Sequence, residues 1–201
     1  PIFVGGFVRD SLLGLKSKDI DIEVFDMDLD LLHKILSNYG HPKLVGKSLG
    51  ILKLKFKNYE LDFAIPRKES KTGSGHRDFS IALDPQSSFE NAARRRDFTI
   101  NAIGYSFRDQ KILDPFDGIK DLQNHHLRAV SDHFDEDALR VFRAAYFSAR
   151  FNLKIDPNLQ DTCRRISLQD LSKERISDEI HKFFLKCPKP SQAFQNLKSL
   201  S

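Results

Sequence analysis

The first stretch of the chain, PIFVGGFVRDSLLGLKSKDIDIEVF (residues 1–25), decides the fold because it combines a glycine turn with an alternating acidic strand. Residues 2–4 are apolar and β-prone, and Gly5 and Gly6 then interrupt them. Residues 7–13 have the composition of a short helix. Exposed backbone N–H groups at such a strand–glycine–helix junction favour phosphate. The junction predicts a phosphate-binding turn, with a plain tight turn as the alternative for the glycine pair alone.

The next segment, residues 19–25, alternates between acidic and apolar positions. Asp19, Asp21 and Glu23 therefore fall on one face of a predicted strand. Residues two apart on a strand project from the same face, with Cα atoms roughly 6–7 Å apart. Two carboxylates at this spacing suit divalent cations, and Mg²⁺ prefers oxygen ligands. The solvated edge of an ordinary strand is the alternative for this acid pair taken alone.

A hairpin follows, with alternating strands over residues 52–57 and 59–65. Asp62 lies on the polar face of its second strand, and Glu60 shares that face. A third carboxylate on a neighbouring strand would complete a two-metal site for in-line displacement at phosphorus. Residues 67–79 are polar and contain glycines, which predicts a mobile loop.

The second half of the chain changes to helical spacing. Helices are predicted over residues 91–102, 136–151 and 172–185, the last with a capping signal at its start. Strands give way to helices near Ser131, which is the expected domain boundary. This order of strands followed by helices indicates an α+β fold.

Composition narrows the class of protein. Of the 201 residues, 30% are charged and 40% hydrophobic, which is typical of a folded soluble protein. The net charge of +4 is compatible with a polyanionic partner without establishing one. Cys163 and Cys187 are the only cysteines, which argues against a zinc site or disulfide scaffold and favours the reducing cytoplasm. No apolar run approaches the roughly 18 residues that span a bilayer, so no membrane partner is expected.

Five segments together resemble the motifs of the class II tRNA nucleotidyltransferases, the family of CCA-adding enzymes and bacterial poly(A) polymerases. In chain order they are VGGFVRDSLLGLKSKDIDIEV (4–24), ARRRDFTINAIGY (93–105), DPFDGIKDL (114–122), EDALRVFRAAYFSARF (136–151) and KERISDEI (173–180). The segments occur in the family's order and cover nearly the whole chain. Agreement of all five outweighs the ordinary interpretation of each one alone.

The resemblance implies a polymerase-beta-like mixed sheet with flanking helices, followed by an all-helical neck. Residues 1–130 would form the catalytic head, and residues 131–201 would form a neck that selects the nucleobase. The family's tRNA-binding body and tail would follow, so we expect this chain to be part of a longer protein and to bind tRNA weakly.

The resemblance also implies a reaction and its catalytic residues. An RNA 3′-hydroxyl would attack the α-phosphate of CTP or ATP, and pyrophosphate would leave. Asp19 and Asp21 match the aspartates that hold the catalytic metal, taken here as Mg²⁺. Asp62 matches the third catalytic carboxylate, with Glu60 as the second choice. The partners implied are CTP, ATP and the tRNA 3′ end.

Nucleotide contacts are implied at nine positions. They are Gly5, Gly6, Arg9, Arg96, Asp97, Asn101, Asp137, Arg140 and Arg143. Asp137 and Arg140 are three apart on a predicted helix and would share a face. An aspartate there accepts from the exocyclic amine that cytosine and adenine both carry, which would exclude uracil and guanine. An ordinary surface ion pair is the alternative.

Three interpretations of function stay open at this point. The first is CCA addition to tRNA, and the second is a specialised CC-adding, A-adding or poly(A)-adding enzyme with the same head. The third is a non-catalytic nucleotide- or RNA-binding module that kept the fold. Residues 67–79 resemble the family's flexible loop, which helps to switch specificity from C to A. The sequence does not indicate an oligomeric state.

Overall fold

The fold is taken from a computed structural model of the chain. The described residues are 1–45, 50–71 and 79–201. Their contacts divide them into two compact units. Unit 1 comprises Pro1–Arg96 and Asn101–Phe116, and unit 2 comprises Asp97–Ile100 and Asp117–Ser201. Strands dominate the first unit and helices the second, which confirms the predicted α+β class.

Unit 1 is built on a seven-stranded mixed sheet and a separate hairpin. Its strands are β1 (Ile2–Val4), β2 (Asp19–Glu23), β3 (Lys43–Val45), β4 (Ile51–Phe56), β5 (Tyr59–Ala64), β6 (Arg67–Lys71), β7 (Phe79–Leu83), β8 (Gly104–Ser106) and β9 (Lys111–Leu113). The spatial order of the sheet is β3-β4-β5-β2-β1-β8-β9, and β6 pairs with β7. The β2–β5 pair is parallel, whereas the other neighbours in the sheet are antiparallel.

Three helices accompany this sheet: α1 (Gly6–Leu12), α2 (Leu29–Leu36) and α3 (Phe89–Arg94). The core of unit 1 joins α2 to one face of the sheet, with Leu32 on the helix and Ile22 and Leu52 on strands all buried. Because successive strand residues point to opposite faces, the acids of β2 and β5 lie on the other face. The apolar core thereby fixes which face carries the charged residues.

Unit 2 is mainly helical. Its elements are α4 (Gly118–Gln123), α5 (Leu139–Phe151), α6 (Pro157–Arg165), α7 (Lys173–Lys186), α8 (Pro190–Leu200) and the parallel strand pair β10 (His126–Leu127) and β11 (Lys154–Ile155). The most buried helix is α5, with residues such as Val141 and Ala145 at 0% exposure. The predicted cap of α7 is confirmed, since the Ser172 side chain accepts from the Arg175 backbone N–H.

Both cysteines of unit 2 are buried free thiols, in agreement with the absence of a predicted disulfide. Burial raises the pKa of the Cys163 thiol to about 12, so this side chain packs as a small apolar group. Within the described ranges, none of the helices has both the length and the apolar character needed to cross a bilayer.

The helix predicted over residues 91–102 is wrong in extent. The helix α3 ends at Arg94, and Thr99–Asn101 form a separate 3-10 turn. Phe98, between them, is fully buried in unit 2 and packs edge-on against Phe147. Burial of this aromatic side chain outweighs the local preference for helix.

The prediction of a mobile loop over residues 67–79 is wrong at both ends of that range, where the structure has strands. The strands β6 and β7 pair antiparallel from Arg67 with Leu83 to Lys71 with Phe79. This hairpin is formed by main-chain hydrogen bonds. Because β6 is polar and lacks alternating apolar residues, the sequence did not predict the hairpin. Residues 72–78, and with them the switching role expected there, lie outside the described residues.

Candidate active site

The predicted catalytic carboxylates lie on one face of two adjacent strands. In the parallel pair of β2 with β5, Asp21 stands directly opposite Asp62, and Asp19 stands directly opposite Glu60. Neighbouring strands are about 5 Å apart, so opposed residues of one face are near neighbours. The structure thus brings together the three aspartates that the alternation of the sequence singled out.

The carboxyl group of Asp21 lies among charged groups of both signs. Burial raises the pKa of Asp21 above its usual value, and the Arg96 guanidinium acts in the opposite sense. The carboxylates of Asp62 and Asp19 raise the pKa further, whereas Lys53 lowers it. Like charges at this spacing repel each other, and Arg96 and Lys53 offset part of this repulsion at Asp21.

Lys53 is a member of the site that sequence reasoning missed. It lies opposite Asp62 in the β4–β5 hairpin, and its Nζ is 2.7 Å from Asp62 Oδ2. The hydrogen bond to Asp62 raises the pKa of Lys53. The alternation of the hairpin was a usable signal, because it places a lysine on the same face as the third carboxylate.

Gly5 lets its own backbone lie close to the side chains of Arg96 and Asp21. Its φ is +67°, a value that favours glycine. A Cβ atom at this position would lie 2.9 Å from Arg96 Nη1 and 3.4 Å from Asp21 Oδ2. At Gly6, the first residue of α1, a Cβ would lie 3.5 Å from Arg9 Nη2. The turn therefore places bare backbone between a guanidinium and the candidate metal-binding carboxylate.

Glu23 holds Arg96 in place. Sequence reasoning assigned no role to Glu23. The side chain is 2% exposed, and its Oε1 accepts from Nη2 of both Arg95 and Arg96 at 3.0 Å. Arg96 Nη1 also donates to the backbone oxygen of Asn101 at 3.4 Å. Glu23 is two residues beyond Asp21 on the same strand face, so a single strand positions both the carboxylate and the arginine beside it.

Arg9 and Asn101 are joined to each other. Arg9 is 4% exposed, pairs with Asp10 at 2.6 Å, and donates through Nη1 to Asn101 Oδ1. These contacts hold α1 against the segment that carries Asn101. The expected triphosphate and sugar contacts of the two residues stay predictions.

Asp97 and Arg143 form a second joined pair, in unit 2. Arg143 Nη2 lies 2.6 Å from Asp97 Oδ2, and Asp97 is 8% exposed. Burial acts to lower the pKa of Arg143, but the Asp97 carboxylate more than offsets this, and the pKa rises. Asp97 Oδ1 also accepts from the Phe98 backbone N–H. The two predicted nucleotide-binding residues are thus held by each other.

The prediction that Asp137 and Arg140 share a helix face is wrong. The helix α5 begins at Leu139, and Asp137 precedes it in an extended conformation. Its carboxylate accepts from the Leu139 backbone N–H and pairs with Arg175 of α7 at 2.9 Å, which favours a position outside the helix. Arg140 Nη1 donates to the His133 backbone oxygen at 2.7 Å. Arg175 is a further residue that sequence reasoning missed.

Across residues 1–45, 50–71 and 79–201, no three His, Cys, Asp or Glu side chains are grouped so as to hold a metal ion by themselves. The carboxylate of Asp62 is turned toward Lys53 instead. A cation at this site would therefore use ligands beyond these carboxylates.

Comparison with known proteins agrees with this geometry. The sequence model of the poly A polymerase head domain matches residues 2–128. A multifunctional CCA protein of Xylella fastidiosa (strain 9a5c) is 39% identical over 184 residues, which cover 88% of this chain and 42% of that protein. A CCA-adding enzyme in complex with CTP matches 100% of this chain and 46% of its own, with a TM-score of 0.81 and 26% identity.

The CCA-adding enzyme of Thermotoga maritima complexed with tRNA gives a TM-score of 0.77 at 27% identity, over 99% of this chain and 46% of its own. This chain therefore spans less than half the length of these proteins. The contact division falls at Phe116, whereas the family match ends at residue 128, so the head boundary at residue 130 stays a prediction. The chain belongs to the poly A polymerase head domain family, as its five motifs indicated.

Proposed function

We propose that this chain is the catalytic head and first helices of a cytoplasmic enzyme that adds CCA to the 3′ end of tRNA. It would transfer CMP and AMP from CTP and ATP and release pyrophosphate. The observation that carries the proposal is the pairing of Asp21 with Asp62 beside the Gly5 turn, where Arg96 lies. The similar proteins that are named as CCA-adding enzymes support it.

The residues of the site fit a magnesium ion. Mg²⁺ usually binds through one or two carboxylates together with water and substrate phosphates, rather than through a full set of protein ligands. Asp19 and Asp21 supply two such carboxylates on one strand face, and Asp62 supplies a third on the next strand.

The proposed reaction breaks one bond and forms another at the α-phosphate. The RNA 3′-hydroxyl releases its proton to solvent, and its oxygen bonds to that phosphorus as the bond from the phosphorus to the oxygen shared with the β-phosphate breaks. When bound, Mg²⁺ lowers the pKa of the hydroxyl and neutralises charge on the phosphates. Arg96 binds phosphate oxygens from a position fixed by Glu23, and the bare backbone at Gly5 lets the triphosphate approach. The protein mainly positions the reactants and stabilises charge.

Selection of the base is assigned to charged residues of unit 2. Asp137 is the candidate acceptor for the exocyclic amine of cytosine or adenine. Arg140 and Arg143 are the candidate donors to acceptor atoms of the base. Asp97 would act by fixing the orientation of Arg143. Both Nε and Nη2 of Arg143 contact Asp97 Oδ2.

The test is a transfer assay on tRNA that lacks its terminal CCA, with labelled CTP and ATP and with Mg²⁺. We expect addition of three nucleotides, and a loss of about 10³-fold or more in rate for Asp21→Asn. Asp30→Asn is the matched control, because Asp30 is an exposed acid on α2, which packs against the other face of the sheet. It should retain activity within a few-fold.

Binding of CTP with Mg²⁺ by calorimetry gives a second measurement that does not need tRNA. Far-ultraviolet circular dichroism checks that each variant is folded. Full transfer by Asp21→Asn, or its failure to fold, would contradict the proposed catalytic role. Product length separates the remaining alternatives, since a CC-adding, A-adding or poly(A)-adding enzyme leaves a different tail, and a binding module releases no pyrophosphate.

A further inference from the structure

A row of charged side chains runs across four adjacent strands of unit 1. The register places Asp21 opposite Asp62, Asp62 opposite Lys53, and Lys53 opposite Lys43. Directly opposed residues lie on the same face of a sheet, about 5 Å apart between neighbouring strands. Along this row the charge therefore changes from acidic at β2 and β5 to basic at β4 and the edge strand β3.

A third lysine extends the basic end of this row. Lys55 is two residues after Lys53 on β4 and so projects from the same face, where it stands opposite Glu60. Lys43 and Lys55 are both exposed. Among the residues that the structure describes, neither of them forms an ion pair within 4.0 Å, whereas Lys53 pairs with Asp62.

The opposition of Lys43 and Lys53 is unfavourable for the sheet by itself. Like charges directly opposite each other on neighbouring strands are destabilising. Proteins break such local rules mainly at functional sites. A polyanion lying along β3 and β4 would relieve this repulsion and would also neutralise Lys55.

The position of this row decides which polyanion fits it. The Gly5 turn follows β1, and the proposed triphosphate contacts lie there, on one side of Asp21. The lysines lie on the other side, beyond Asp62, since the strand order is β3-β4-β5-β2-β1. We propose that Lys43, Lys53 and Lys55 bind the phosphodiester backbone of the RNA near its 3′ end. This inference rests on the proposed function for the place of the triphosphate and for RNA as the polyanion.

Charge removal tests the inference without catalysis. The double variant Lys43→Ala/Lys55→Ala spares Lys53, which touches a catalytic carboxylate. Binding of a fluorescently labelled tRNA acceptor-stem RNA is measured by anisotropy, without nucleotide, over a range of salt concentrations. We expect binding about tenfold weaker, and a slope of log K against log salt that falls by about two, because two phosphates are no longer neutralised by a lysine.

A matched control removes the same charge elsewhere. Lys34→Ala/Lys111→Ala takes one exposed lysine from α2 and one from the opposite edge strand β9. The salt slope of this control should equal that of the wild type. An equal loss in both double variants would overturn the inference, because overall charge alone would then explain binding.

Calorimetry with CTP and Mg²⁺ identifies the polyanion. We expect Lys43→Ala/Lys55→Ala to bind CTP as the wild type does. Weaker CTP binding with an unchanged RNA salt slope would overturn the inference and assign the lysines to the triphosphate. A failure of the transfer assay with a slope still reduced by about two would instead reject the proposed function and leave this RNA surface in place.

Discussion

The two units place their charged residues by different means. In unit 1, strand register sets Asp21 opposite Asp62, and like charges stay crowded there. In unit 2, Asp97 and Asp137 are instead each held by an arginine from a helix. Asp19 and Asp21 thus lie beside other acids, with Lys53 paired to Asp62 alone, whereas Asp97 and Asp137 each have an arginine of their own. The proposed cation site draws on the first set, whereas each acid of the second set is held by an arginine.

Glu23 in unit 1 is, like Asp62, both placed by strand register and ion-paired, in its case with two arginines. We expect Glu23→Ala to lower the free energy of unfolding by about 3 kcal/mol, since Arg95 and Arg96 lose a buried carboxylate. Urea denaturation measures this change. The exposed acid of the next strand is the control, and Glu60→Ala should change stability by less than about 0.5 kcal/mol. Equal effects would mean that the buried pairing of Glu23 contributes nothing.

Within unit 2, the two ion pairs differ in burial and should differ in energy. Arg143→Ala removes the cation from the buried Asp97 and should cost about 2 kcal/mol in unfolding free energy. Arg175→Ala removes the cation from the more exposed pair with Asp137 and should cost about 0.5 kcal/mol. Thermal and urea unfolding of both variants measure the difference. A larger loss in Arg175→Ala would contradict the ranking by burial.

Gly5 and Gly14 have nearly the same φ but different surroundings. Substituting each one by alanine therefore distinguishes the cost of backbone strain from the cost of a steric contact with a neighbouring side chain. Gly5 has φ +67° and would place a Cβ 2.9 Å from Arg96, whereas Gly14 has φ +69° and open space around it. We expect Gly14→Ala to cost about 1 kcal/mol from its backbone alone, and Gly5→Ala to cost about 1 kcal/mol more. CTP binding should weaken only in Gly5→Ala. Unchanged CTP binding in that variant would remove the Gly5 turn from the nucleotide site.

The smallest expected change in stability is that of Asp21→Asn, the substitution of the acid that lies beside Asp62 and Asp19. Burial and the neighbouring acids raise the pKa of Asp21 in the folded state above its usual 3.8, so its ionised form opposes folding. We therefore expect Asp21→Asn to be slightly more stable than the wild type at pH 7. This gain should shrink as the pH falls through the raised pKa, because Asp21 then becomes protonated in the folded protein.

Melting temperatures measured from pH 7 down to pH 4 check this dependence. Glu60→Gln, from the same face, should show no such gain, because Glu60 lies opposite Lys55. A loss of stability in Asp21→Asn at pH 7 would show that the carboxylate contributes to the fold.

Much of unit 1 could be predicted because its local patterns agree with its tertiary contacts. Alternation placed Asp19, Asp21 and Asp62 on polar faces, and the glycine pair marked the turn before α1. The same patterns failed around Phe98, where burial in the other unit overrides helical spacing. They also failed at Asp137, where a capping hydrogen bond and an ion pair hold the residue before the helix.

By itself, the sequence determined the class of fold, the succession of a strand-rich half and a helical half, and the face on which Asp19, Asp21 and Asp62 lie, because side-chain period and glycine positions act over a few residues. Only the tertiary structure decided which strands are neighbours, and therefore that Asp21 faces Asp62 and that Lys53 faces both Asp62 and Lys43. It also decided that Glu23 binds two arginines far along the chain. Such pairings depend on burial and charge between distant residues, which no local pattern encodes.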